Sequence, residues 1–190
     1  MYKKNPLSVI FLKGRHGKTI KLLDGLSPKS ILDVGCDDGH FLAMLSERFP
    51  SSAFYACDTE REALAEVRKE CPKADLRHGD FMTLEFKPVE LVVFLEVLEH
   101  SHNPKAMLRK ASSLIGKKGH ILVSIPRPEL LHWRIIWAVW SNTVGRRWHD
   151  QHTELTETEL IDIASQCGLT LEKHSRFFFD SISLMLFKPS

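Results

Sequence analysis

The sequence predicts an α/β fold, a mostly parallel sheet covered by helices on both faces, and three observations predict it. Short β-branched and aliphatic runs alternate along the chain with stretches of helical periodicity. A glycine-bearing turn, Gly35 to Gly39, directly follows the first of these apolar runs. With 190 residues and 43% hydrophobic composition the chain can bury one sizeable core and is short for two, so a single domain over residues 1–190 is expected.

The elements follow in order. Ser30–Val34 reads as a first strand, and Phe41, Leu42, Met44, Leu45 and Phe49 then recur at helical spacing. Ala53–Cys57 reads as a second strand. Thr59 and Glu62 have the spacing of a capping box, which predicts a helix to Lys69 that Cys71-Pro72 ends. Ala74–Arg77 and Glu90–Phe94 are the third and fourth strands. Asn103 can cap a helix with Pro104 at its first position, and Gly116 stops it after Ile115. His120–Ile125 is the fifth strand. Thr156 and Glu159 repeat the capping-box pattern before a late helix ended by Gly168, and two β-like runs, Leu169–His174 and Ser181–Phe187, close the chain.

Charge and cysteine usage narrow the class. Lys and Arg total 26 against 24 Asp and Glu, so no global basic footprint marks a nucleic-acid binder. Cys36, Cys57, Cys71 and Cys167 are scattered in apolar runs without a C-x-x-C pair, which suits reduced thiols and a cytoplasmic protein. The apolar stretch near the start is too short for a persuasive signal peptide, and no run approaches the ~20 apolar residues needed to cross a bilayer.

The segment ILDVGCDDGHFL places Gly35 and Gly39 where a buried strand turns into a helix, so that backbone N–H groups can approach an anionic or polar ligand. The dinucleotide fingerprint G-x-G-x-x-G is absent, because Asp37 and Leu42 stand at its second and third glycine positions. The segment resembles instead the first motif of class I S-adenosylmethionine (SAM)-dependent methyltransferases, a strand ending in D-x-G-x-G-x-G. Asp33, Gly35 and Gly39 match it, and Asp37 departs from the middle glycine.

Two further stretches carry the resemblance. Asp58 ends the second strand about 20 residues after the glycine turn, where a carboxylate can accept both ribose hydroxyls; a helix cap shared with Thr59 is the alternative. HGDFMTLEF resembles the family's adenine-binding stretch, with Asp80 toward the exocyclic amine and Phe81 against the ring, or else an ordinary Gly79-Asp80 turn. The resemblance implies a Rossmann-like, seven-stranded, mostly parallel sheet with helices on both faces and an antiparallel C-terminal hairpin strand. It implies SAM as cofactor, with Gly35, Cys36, Asp37 and Gly39 at its methionine portion, Asp58 and Thr59 at the ribose, and Asp80 and Phe81 at adenine. Leu95 and Glu96 border the cleft near the sulfonium. Arg15 reaches the methionine carboxylate, unless it is simply solvated.

After the fourth strand, LEVLEHSHNP resembles the corresponding stretch of small-molecule methyltransferases. Glu96, Glu99 and His100 form E-x-x-E-H, a pattern like the metal-binding element of ubiquinone-biosynthesis O-methyltransferases and of small-RNA 2′-O-methyltransferases. It implies a divalent ion with His149 as a fourth ligand, Mg²⁺ by its oxygens or Zn²⁺ or Mn²⁺ by its imidazoles. The alternative is that these residues organise the cleft wall. Without a metal, His100, His149 or His152 is the candidate general base.

Trp133, Trp137, Trp140 and Trp148 fall within 16 residues between the fifth strand and the late helix. The resemblance makes residues 126–152 an acceptor lid, and the apolar Leu130–Trp140 either packs in the core, covers a lipophilic or aromatic acceptor, or touches a membrane surface. The expected activity is in-line methyl transfer to a small acceptor. The alternatives are an RNA 2′-O-methyltransferase, which the near-neutral charge opposes, and a non-catalytic SAM-binding partner subunit.

Overall fold

The computed structural model describes residues 6–127, 129–130 and 155–190. Helix α1 (Pro6–Leu22) precedes β1 (Ser30–Val34), α2 (His40–Arg48), β2 (Ala53–Asp58), α3 (Arg61–Glu70), β3 (Asp75–His78) and β4 (Leu91–Leu95). A 3-10 turn at Leu98–His100, α4 (Pro104–Ile115) and β5 (His120–Pro126) follow, then α5 (Glu157–Gln166), β6 (Leu169–Phe177) and β7 (Ile182–Pro189). The strands form one seven-stranded sheet in the order β3-β2-β1-β4-β5-β7-β6. Strands β1 to β5 pair in parallel, and β7 lies antiparallel between β5 and β6.

The apolar runs explain this arrangement. Leu91, Val92, Val93 and Phe94 of β4 are all fully buried, as a central parallel strand requires when both faces are covered. Successive side chains alternate between two cores. Leu32, Val92 and Phe94 pack with Met107 and Leu108 of α4 and Leu160 of α5. Ile31, Leu91 and Val93 pack on the other side with Leu42 and Leu45 of α2 and Val67 of α3. Each such aliphatic side chain contributes about 1.5–3 kcal/mol through burial.

The helix signals mostly act as the sequence suggests. Asn103 accepts the N–H of Ala106 at 2.9 Å with Pro104 opening α4. Thr156 and Glu159 form a reciprocal capping box on α5. The capping box expected at Thr59 and Glu62 does not form: α3 starts after Glu60 without a side-chain cap, and Asp58 Oδ1 accepts the Glu60 N–H at 2.9 Å instead. Helix α1 has no counterpart in the periodicity reading, because Gly14 and Gly17 interrupt it. Gly14 serves close packing, since a Cβ there would stand 3.2 Å from the Phe177 ring.

Most of the expected acceptor lid, including all four tryptophans, His149 and His152, lies outside the described residues. Among the described residues no helix is long and apolar enough to cross a membrane.

Candidate functional site

The chain steps from β1 outward to β2 and β3, then returns to β4 on the other side of β1. That reversal opens a crevice beyond the carboxyl ends of β1 and β4, where open α/β sheets bind ligands. The turn after β1 is pinned to β2, with Gly35 N–H donating to the Cys57 carbonyl at 2.8 Å. Gly35, Asp37 and Gly39 all have positive φ, at 66°, 44° and 77°. The departure at Asp37 is therefore tolerated locally, because Asp enters the left-handed region more readily than most residues. Both glycines also answer to the protein's own packing. A Cβ on Gly35 would lie 2.7 Å from Val97 Cγ2, and one on Gly39 2.8 Å from the Val67 Cα.

Acidic groups gather here. Asp33 is buried, and its carboxyl is pushed up to about 8 by desolvation first and then by Asp58 and Asp37. Asp58, at the end of β2, accepts the Asp37 N–H on Oδ2 at 3.0 Å and the Glu60 N–H on Oδ1 at 2.9 Å. Burial, followed by Asp38 and Asp58, raises Asp37 as well. Cys36 is buried beside this turn, and Thr59 is exposed with its carbonyl 3.0 Å from His78 Nε2.

On the adjoining loop, Asp80 Oδ1 accepts the Met82 N–H at 2.8 Å. Phe81 is a core residue: it is 3% exposed and edge-on to Phe94 at 5.7 Å, so its ring does not lie open to a ligand as expected. Met82, 40% exposed, is the apolar side chain this loop presents. Lys110 of α4 holds the loop from beneath, donating to the carbonyls of Phe81, Met82 and Leu84 at 2.7, 3.2 and 2.6 Å. No sequence signal marked Lys110, since its partners lie 26 to 29 residues away.

Beyond β4, half-buried Leu95 leads to Glu96 at φ 57°. Buried Ser124 of β5 donates to Glu96 Oε1 at 2.6 Å, and Arg15 Nη1 stands 3.9 Å from Oε2. Glu99 is buried, with its pKa well above the carboxylate range through desolvation and then Glu96. His100 is exposed. Among the described residues no group of three or more His, Cys, Asp or Glu side chains could hold a metal ion. Glu96 sits in the left-handed region ahead of the 3-10 turn, which carries Glu99 buried and His100 exposed. His149, the proposed fourth ligand, lies outside the described residues.

Helix α1 lays Arg15 and His16 against this crevice. Arg15 Nη2 is 3.2 Å from His16 Nε2. The His16 ring is 5% exposed, 5.1 Å from Phe41 and 5.6 Å from His40. Burial first, then Arg15 and His40, lower its pKa to about 3, so the ring is neutral. Arg15 Nε and His16 Nδ1 are buried without a hydrogen-bond partner among the described residues. One helical turn before Arg15, Phe11 meets Phe177 at 5.3 Å and Phe178 at 4.9 Å. Phe178, Phe179 and Asp180 then hold φ of 52°, 51° and 64° at the hairpin tip, and Phe179 is 80% exposed.

Comparison with known proteins places this geometry. Residues 12–174 match the family described as "Methyltransferase domain". A ubiquinone biosynthesis O-methyltransferase from Acinetobacter baumannii is 21% identical over 194 residues, covering 96% of this chain and 78% of that protein. Among solved structures, magnesium protoporphyrin IX methyltransferase from Synechocystis PCC 6803, with bound SAH, superposes at a TM-score of 0.76. It is 15% identical, with 98% of this chain and 88% of that chain covered. The N-methyltransferase NodS from Bradyrhizobium japonicum, with S-adenosyl-L-homocysteine (SAH), gives a TM-score of 0.74 at 18% identity, covering 98% and 89%.

Proposed function

The chain belongs to the methyltransferase domain family and is a SAM-dependent methyltransferase, and from that premise we propose that it methylates a small lipophilic or aromatic acceptor. When bound, SAM supplies a methyl group on a positively charged sulfonium, open to in-line displacement. The protein's part is alignment and exclusion of water.

The observation that carries the cofactor placement is Asp58. Its carboxylate is fixed by two backbone N–H groups at 3.0 and 2.9 Å, which leaves lone pairs on both oxygens for ribose hydroxyls. We assign Gly35, Cys36, Asp37 and Gly39 to the methionine portion and Asp80 with Met82 to adenine. The acidic groups Asp37 and Glu96 at the crevice favour a cationic sulfonium and favour the neutral thioether product less. For a hydroxyl acceptor we assign proton removal to His100, His149 or His152. The lipophilic character rests on the phenylalanine rim of Phe11, Phe178 and Phe179 and on the tryptophan-rich sequence that follows β5.

Labelled SAM offered with extracts divided into lipid, small-molecule and RNA fractions tests the acceptor class. Label in lipid or organic-soluble products is expected. Label confined to RNA overturns the reading in favour of RNA methylation, and no label in any fraction favours a non-catalytic partner.

A further inference from the structure

We propose that Glu157 is a positioning residue for the acceptor: its carboxylate fixes Arg127 beside Arg176 and His174, and through Arg127 holds the β6–β7 turn that presents Phe178 and Phe179. The inference rests on the reading of a lipophilic or aromatic acceptor and adds to it a charged residue that acts through others.

The turn is costly as it stands. Phe178, Phe179 and Asp180 hold left-handed φ in succession, a conformation that residues with a Cβ adopt seldom and usually singly. Such backbone persists where its surroundings over-determine it. Ser181 N–H closes the turn on the Phe178 carbonyl at 3.0 Å, and β5 adds to the hold. Arg127 N–H donates to the Ser181 carbonyl at 2.9 Å, and Arg127 Nη1 donates to the Asp180 carbonyl at 3.1 Å.

The sheet register divides the support between two faces. Pro126 and Phe177 both pair with Ile182, on the face where Phe11 of α1 meets Phe177 and Phe178. Ile125 and Arg176 both pair with Ser183, on the face that α5 covers, and alternation puts Arg127 and His174 there too. Glu157 opens α5 on this second face, with its side chain 14% exposed. Its Oε1 accepts from Arg176 Nη2 at 3.0 Å and lies 3.4 Å from His174 Nε2, and its Oε2 lies 3.2 Å from Arg127 Nε. Burial would raise this carboxyl, but Arg176, His174 and Arg127 hold it below the usual carboxylate range. Glu129 also accepts from Arg127 Nε, at 2.9 Å, so without the Glu157 charge the guanidinium is drawn to Glu129 and away from the turn.

The position in the sheet says which substrate feels this. β5 pairs with β4 through Leu95 and Ser124, so the turn beyond Pro126 flanks the Glu96 side of the crevice. Asp58 and the glycine turn end β2 and β1, on the far side of β4. Glu157 therefore governs the acceptor and leaves the cofactor alone.

The test uses Glu157→Gln, which keeps the side chain's size and removes its charge, and Arg127→Lys, which keeps the charge and removes the planar fork. Transfer from labelled SAM is measured against rising amounts of the organic-soluble extract fraction. In both variants the half-saturating amount should rise about 10-fold, the scale of one misplaced aromatic contact, with maximal rate and calorimetric SAH binding within about 2-fold of wild type. The double variant should be no worse than the more impaired single one, since both remove the same clamp. Hydrogen exchange should quicken in the peptide spanning residues 177–182 and stay unchanged in α2 and β4, which general destabilisation would not give. Where one variant fails to fold, the other carries the same comparison. Unchanged half-saturation, equally weakened SAH binding, additive losses, exchange quickened throughout, or failure of both variants to fold would overturn the proposal. A wild type that labels nothing organic-soluble would overturn the acceptor reading, and this proposal with it.

Discussion

Asp33 and Asp58 end neighbouring strands, and the fold uses them differently. Asp58 stands in the crevice with both oxygens oriented by backbone N–H groups. Asp58→Ala should weaken SAH binding about 10- to 100-fold by calorimetry, the scale of losing charge-assisted hydrogen bonds, and should lower thermal stability too, because the Asp37 and Glu60 N–H groups lose their acceptor. Asp33 is sealed in, and burial holds its carboxyl at about 8. The folded chain therefore keeps a proton that the unfolded chain releases near the ordinary carboxylate range. Stability from this group is fully present below that range and declines as pH rises toward 8. Urea midpoints should fall between pH 5 and pH 8 in the wild type, and Asp33→Asn should flatten that fall; an unchanged slope would contradict the assignment. Both aspartates stand out in the sequence by their strand-end positions, but the burial that separates their behaviour does not. Ser124 does not, because its partner Glu96 lies 28 residues away and only folding brings it near.

At the scale of elements, the loop of Asp80 to Leu84 is held from outside itself. Lys110→Met removes a charged donor shared by three backbone carbonyls. It should cost about 1.5–3 kcal/mol in chemical denaturation and lower cofactor affinity as well, because the loop loses its support. Gly39 ties two elements together. Gly39→Ala meets both a positive φ of 77° and the Val67 backbone at 2.8 Å. A loss of at least about 1–2 kcal/mol is expected, read from the thermal midpoint. Elements with both a capping residue and periodicity, α4 and α5, were legible to within a residue or so. Helix α1 was not, since the glycines that let it approach Phe177 also hide its periodicity. The Thr59 cap failed for a related reason: Asp58, one residue earlier, already takes the N–H of Glu60.

For the whole molecule, cofactor binding should report on folding directly. A ligand that binds only the folded state at 100 times its Kd stabilises it by about 2.7 kcal/mol, or about 5–10 °C in Tm for a chain of this size. SAH should produce that rise in wild type, and Asp58→Ala should shrink it at the same SAH concentration. The sequence by itself determined the α/β class and the order of the elements from β1 onward, and its motifs carried the resemblance that implied the cofactor. The class and the element order follow from periodicity and turn chemistry, which are local along the chain. The tertiary structure decided the strand order β3-β2-β1-β4-β5-β7-β6 and the core position of Phe81. It also buried Glu99 beside Glu96, left His100 exposed, and placed α1 with Arg15 near Glu96. These depend on which distant side chains meet, and on a backbone turn at Glu96 that the E-x-x-E-H spacing alone does not reveal.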